Sequence, residues 1–131
     1  MMVVVEQAQG SERHRALAGR FEAYLRADVE ELIGVYNPTY FRRMLAELGG
    51  VGTAKLLMEP HRSSAYGFER LWELGQLERS WEFAVLLPWF AELFTDDDLD
   101  EARRRLVLLD FDVDARLAAR TAPAWVATLP A

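Results

Sequence analysis

Apolar side chains recur at three- and four-residue steps through most of this 131-residue chain, and residues that start and stop helices punctuate those steps. Leu17, Phe21, Tyr24, Leu25, Leu32 and Ile33 form the first stripe, with Ser11 placed to cap it and Asp28 placed to bend or restart it. Asn37-Pro38 reads as an N-cap followed by proline at the first helical position, where its missing N–H costs nothing. The helix it opens carries Phe41, Met44, Leu45 and Leu48 inward and ends at Gly49-Gly50, because glycine accepts the left-handed cap conformation. Val51, Ala54, Leu57 and Met58 then share one side of a short helix.

Pro60 to Gly67 reads as a loop, after which Phe68, Leu71, Trp72 and Leu74 form a brief helix stopped near Gly75. Trp72 is expected to be buried at the junction of the central helices. Ser80 is placed to cap the next helix, with Glu82 in its first turn, where the helix dipole favours a carboxylate. Pro88 ends that pattern and opens a turn carrying Trp89, Phe90, Leu93 and Phe94. Thr95-Asp96-Asp97-Asp98 spells a capping box before a helix through Leu99, Ala102, Leu106 and Leu109, and Asp114 is read as the cap of a last helix through Arg120. The fold expected is all-α, a single compact domain of short helices in an irregular orthogonal array, with no strand beyond a short pairing of Val3–Val5. It divides into an N-terminal segment (1–10), a helical domain (11–120) and an uncharged tail (121–131). In the tail, Trp125, Val126 and Leu129 are spaced to face one side, which predicts packing on its own domain or on a second copy.

Five elements stand in order across about 70 residues. They are Tyr36-Asn37-Pro38-Thr39-Tyr40-Phe41, Leu48-Gly49-Gly50-Val51, Gly67-Phe68-Glu69-Arg70-Leu71-Trp72-Glu73, Ser80-Trp81-Glu82 and Leu93-Phe94-Thr95, followed by Ala102-Arg103-Arg104-Arg105-Leu106. In order and spacing they resemble a small all-helical bacterial module of unassigned function. Its members occur alone and beside, or fused to, nucleases, helicases and restriction-type proteins. The resemblance implies a helical fold and the company of such machines, and it carries no chemistry of its own. Trp81 and Phe83 depart from it, standing where smaller aliphatics are usual, and residues 1–35 and 110–131 lie outside it.

Hydrophobic content of 51% and charged content of 27% are those of a globular protein. The absence of cysteine excludes disulfides and thiolate metal sites. Met1 to Glu6 has neither the basic region nor the long apolar run of a signal peptide, and no apolar run reaches the length of a membrane span. A cytoplasmic location is expected, without a membrane partner. Residues 1–65 carry eight acids and eight bases, whereas residues 66–131 carry thirteen acids and seven bases, so the net charge of −6 belongs to the second half. A surface of that sign repels phosphate backbones, which argues against nucleic acid as a direct partner. Fourteen of the fifteen bases are arginine. GC-rich coding accounts for that, and so would selection for bidentate pairing.

No catalytic constellation stands out. Gly49 to Leu57 looks like the first helix of a helix-turn-helix, yet Glu59-Pro60-His61 follows in place of a recognition helix. Asp96, Asp98 and Asp100 have calcium-loop spacing, but Glu101 and Val107 occupy the positions where that loop needs glycine and glutamate. The alternating Asp110, Asp112 and Asp114 read as a solvated, capping linker. Arg103-Arg104-Arg105 point in three directions, and Asp100–Arg104 and Glu101–Arg105 are i,i+4 pairs, so the run reads as a solvated, self-paired face. His61 beside Ser63 and Ser64 lacks a nucleophile elbow. No metal site and no cofactor are expected.

Glu73 and Glu82 are the acids of most interest, each inside an aromatic stretch. As a pair they would permit acid–base work, as in a small hydrolase; as structural acceptors they would bond backbone N–H groups or an arginine such as Arg42, Arg43, Arg70 or Arg79. The favoured reading is a non-enzymatic interaction module. Its candidate surface is Tyr36, Tyr40, Arg42, Arg43, Trp72, Glu73, Trp81 and Glu82, and its partner is a larger protein. An acidic inhibitor or nucleic-acid mimic is the alternative.

Overall fold

The computed structural model describes residues 2–32, 38–60 and 65–131, with side chains from Glu12 in the first segment and from Gly67 in the third. Tyr36, the Asn37 cap and His61 to Ser64 lie outside the described residues. Six α-helices, α1 (Met2–Leu32), α2 (Thr39–Leu57), α3 (Ala65–Glu73), α4 (Trp81–Leu86), α5 (Asp96–Val107) and α6 (Val113–Ala118), build an all-α single compact domain. Short 3-10 turns at Leu77–Arg79, Ala91–Leu93 and Ala124–Thr128 connect or follow them. No strand occurs among the described residues.

The first helix differs most from expectation. It runs unbroken through Ser11 and Asp28, so neither starts or bends it, and Val3–Val5 are helical. Its inner stripe is Leu17, Phe21, Leu25, Val29 and Leu32, each nearly or fully buried. Phe21 takes the centre, with the rings of Phe90 and Phe94 edge-on at 5.2 Å each.

The second helix is kinked where glycine predicted a stop. Gly49 has φ +75° and ψ 176°, and the helix resumes at Gly50. Gly50 lies directly on α1: its N–H donates to Glu22 Oε1 at 3.2 Å, and a Cβ there would stand 2.8 Å from Glu22 Cα. Met44, Leu45, Ala54 and Leu57 face inward as expected, whereas Leu48 is exposed.

The third helix ends in a Schellman arrangement, with Gly75 left-handed at φ +67° and Gln76 N–H reaching Leu71 O at 2.8 Å. Phe68 and Leu71 turn inward, but Trp72 is 52% exposed, which overturns its expected burial. The nine-residue α3 has one buried edge, and a position 100° beyond Leu71 leaves it.

Every residue of α4 is buried. Ser80 caps it as read: its hydroxyl accepts from Phe83 N at 3.2 Å and donates to Leu77 O at 2.7 Å. The Thr95 capping box is complete, with Asp98 N–H donating to Thr95 Oγ1 and Thr95 N–H to Asp98 Oδ2, both at 3.1 Å. Ala102 and Leu106 turn α5 onto the core.

The arginine triplet of α5 is not one solvated face. Arg103 pairs with Asp114, Arg104 forks onto Glu101 in place of Asp100, and Arg105 is buried. The last helix starts at Val113, so Asp114 falls in its first turn and the cap is Asp112, whose carboxylate accepts from Ala115 N at 3.1 Å.

The uncharged tail folds back on its own domain. Trp125 packs beside Phe90 at 5.8 Å and beneath the Arg20 guanidinium at 5.1 Å, and Arg13 donates to Pro130 O at 2.9 Å.

Two substitutions test this geometry in opposite directions. Gly50→Ala forces α1 and α2 apart and is expected to destabilise by roughly 1–3 kcal/mol. Asp110 ends α5 in the left-handed region at φ 57°, so Asp110→Gly is expected to stabilise by about 0.5–1 kcal/mol. Urea denaturation of both variants checks the signs.

Candidate functional site

Because α4 is hydrophobic around its whole circumference, it runs through the interior and takes Glu82 with it. Glu82 is 3% exposed. Its own backbone N–H and the Arg105 guanidinium favour the charged carboxylate, but loss of water outweighs both and pushes its pKa up to about 7. Asp28, on the inner side of α1, is similar. Burial raises it to about 7, against the pull of Arg79 and Arg120 and with a smaller push from Glu31. Asp28 Oδ1 lies 3.5 Å from Arg79 Nη1, while buried Oδ2 meets no donor among the described residues.

Both acids line one cleft between α1, the start of α2, α3 and α4. It encloses about 510 Å³ with its opening included, and its walls are apolar, chiefly Leu25, Val29, Phe41, Phe68, Leu71 and Trp81. Asp28, Glu82 and Arg79 are the ionisable side chains among its described lining residues. The walls stand close: a few water molecules or a single side chain fit between them, and a drug-sized ligand does not. The two acids are raised by separate surroundings, since no group that acts on one acts on the other. They are two isolated carboxyls, not a coupled dyad.

The residues singled out from sequence are distributed unevenly about this cleft. Trp81 forms part of its wall and stacks against Arg105 at 5.5 Å. Tyr40 is 65% exposed and directly precedes the wall residue Phe41; Trp72 directly follows the wall residue Leu71. Arg42 and Arg43 lie in a separate open groove between α1 and α2, shared with Arg26 and Glu30. Glu73 is exposed and bonds Arg70 at 3.2 Å, as a structural acceptor should. Glu73 and Glu82 are therefore not brought together: one is in water and the other in the core. Arg79 bonds Gln76 Oε1 at 3.0 Å and faces Asp28 and Glu31. Among the described residues no three His, Asp or Glu side chains cluster as metal ligands.

Asp28 is the site residue that sequence reading passed over. Its signal was available: it lies three residues after Leu25 and four before Leu32, inside the buried stripe of α1. A carboxylate on the apolar side of a helix demands a partner or a raised pKa.

Comparison with protein-family models, with curated proteins and with solved structures returns no match for this chain.

The raised acids fix a pH dependence. Between the unfolded value near 4.5 or below and the folded value of about 7, the native state holds protons that the unfolded chain has released. Stability therefore falls as pH rises through that window and levels off above it. Each acid accounts for on the order of 3 kcal/mol of that loss. The carboxyls of Glu78, Glu92, Asp98 and Glu101 are lowered by their cationic partners and change stability only at more acid pH. Wild type is expected to be more stable at pH 5 than at pH 8, with the difference much reduced in Asp28→Asn/Glu82→Gln. Urea titrations at both pH values measure it.

Proposed function

We propose that this domain is a non-enzymatic interaction module that docks on a larger protein beside the α1–α4 cleft. The observation that carries the reading is the exposure of Tyr40 and Trp72, each one helical position from a cleft-wall residue. Large aromatic side chains left half or more in water beside an apolar cleft are the composition of a binding hot spot. Burying either ring in a partner recovers on the order of 2 kcal/mol of hydrophobic free energy.

Other features support a docking role over chemistry. The cleft is narrow, and no nucleophile is among its described lining residues. Glu78, Glu92, Asp98, Glu101 and Asp114 are each paired with a base of the same chain, which weakens the case for a nucleic-acid mimic. Trp125 and Leu129 already pack on the core, so a homodimer through the tail is less favoured than a foreign partner. No helix of the described residues is long and apolar enough to cross a membrane. A cytoplasmic accessory role beside a nucleic-acid-processing or defence machine follows from the motif resemblance, and belongs to the same proposal.

The test is selective loss of a partner. Tyr40→Ala/Trp72→Ala is expected to keep wild-type stability within about 0.5 kcal/mol, since both rings are largely in water. In quantitative co-purification from the native cell, a protein enriched by the wild type should be lost from this variant. Equal enrichment by both proteins would overturn the reading.

A further inference from the structure

The cleft holds acceptors that the described residues of its own chain leave unused. Asp28 Oδ2 is buried and meets no donor among the described residues. The Glu82 carboxyl is almost fully buried, and among the described residues its own N–H and Arg105 are what favour its charged form. The neighbouring cations are committed elsewhere. Arg79 is divided among Gln76, Asp28 and Glu31. Arg105 spends its fork on Leu57 O, Met58 O and Glu101. Arg120 holds Tyr24 and Glu78.

An occupant must satisfy those acceptors. A purely apolar group would bury both carboxyls further without giving them a donor, and an anion would face two acids. A long-stemmed cation does neither: its methylene stem lies along apolar walls while its head donates to carboxylates. We propose that the cleft receives one basic side chain of the partner, a lysine or arginine flanked by apolar residues, with Asp28 as its acceptor. The inference rests on the cleft being the docking face and names what enters it.

Proton linkage gives this occupant a signature. Asp28 faces Arg79, Arg120, Glu31 and the Tyr24 hydroxyl, and Glu82 faces Arg105; in that setting both carboxyls hold protons near neutral pH. A cation binds the ionised form of Asp28 and displaces its proton, so its affinity rises with pH, whereas that of a neutral apolar probe does not.

The experiment uses the full chain, isotope-labelled for amide chemical-shift titration, and four probes: n-butylguanidinium, n-butylammonium, n-butanol and butyrate. Expected are saturable shifts around Asp28 and Glu82 with the two cations, at affinities roughly tenfold or more above butanol and with affinity falling from pH 8 to pH 6. Asp28→Asn/Glu82→Gln, which removes buried charge and is expected to fold, should lose the cation response. Butanol binding as tightly as the cations, cation binding retained by that variant, or no saturable response to the cations at pH 8 would each overturn the proposal. No cation response from the wild-type chain, while Tyr40→Ala/Trp72→Ala still sheds the partner, would sink this inference and leave the docking reading standing. Cation binding as expected, with the partner retained by that ring variant, would put the docking face elsewhere and overturn both.

Discussion

The buried fork of Arg105 is the interaction on which the arrangement of the other elements depends. Its Nη1 and Nη2 donate to Leu57 O and Met58 O at 2.9 and 3.1 Å, and its Nε donates to Glu101 at 2.6 Å. The C-terminal carbonyls of α2 would otherwise be orphaned beside the core, with the negative end of the helix dipole uncompensated. Those donors come from α5, and the guanidinium lies over the Trp81 ring of α4, so one side chain fixes three helices at once. Lysine has the charge but neither the planar face nor the divergent donors. The same guanidinium supplies the field at Glu82, so the element that closes the core also sets the electrostatics of the cleft.

Arginine repeats this dual use around the molecule. Arg13 grips Glu92 with two bonds of 2.8 Å, Arg120 spans Tyr24 and Glu78 while stacking over Phe83, and Arg116 pairs with Glu78 over the Phe111 ring. Each exposed pair contributes little alone, since solvent screens it. Their placement matters more than their number: they join α1, the connecting turns and α6. Stacking on aromatic faces and bidentate bonds use what distinguishes arginine from lysine.

What could be read in the sequence was local. Ser80, Thr95, Gly49 and Gly75 each act within three or four residues of themselves, and a cap or a left-handed turn is decided at that range. Most of the inner stripe of α1 was legible for the same reason. The misread positions depend on partners distant in sequence. Asp114 reads as a cap, but α6 starts at Val113, so Asp112 caps it and Asp114 pairs with Arg103. Arg105 satisfies the i,i+4 rule with Glu101, yet its burial comes from carbonyls 47 and 48 residues away. Leu71 and Trp72 are both in helical register with Phe68, and only the packing of α3 decides which side chain stays in water. The cleft was half visible: Glu82 and Trp81 were picked out, Glu73 lies apart from them on its arginine, and Asp28 was taken for a helix bend.

Two carboxyls in an apolar cleft are an expensive way to fill space. Apolar residues of similar size would avoid both desolvation and the loss of stability as pH rises through neutrality. Glu82 is not required for capping, because Ser80 already satisfies the first turn of α4. Asp28 does not anchor Arg79 well, since that guanidinium is shared with Glu31 and bonded more closely to Gln76. Neither acid is therefore explained by the fold it destabilises. Such locally unfavourable polar groups are found where a later event supplies what is missing. Here the missing element is a hydrogen-bond donor with positive charge, which a partner docked at the cleft can supply.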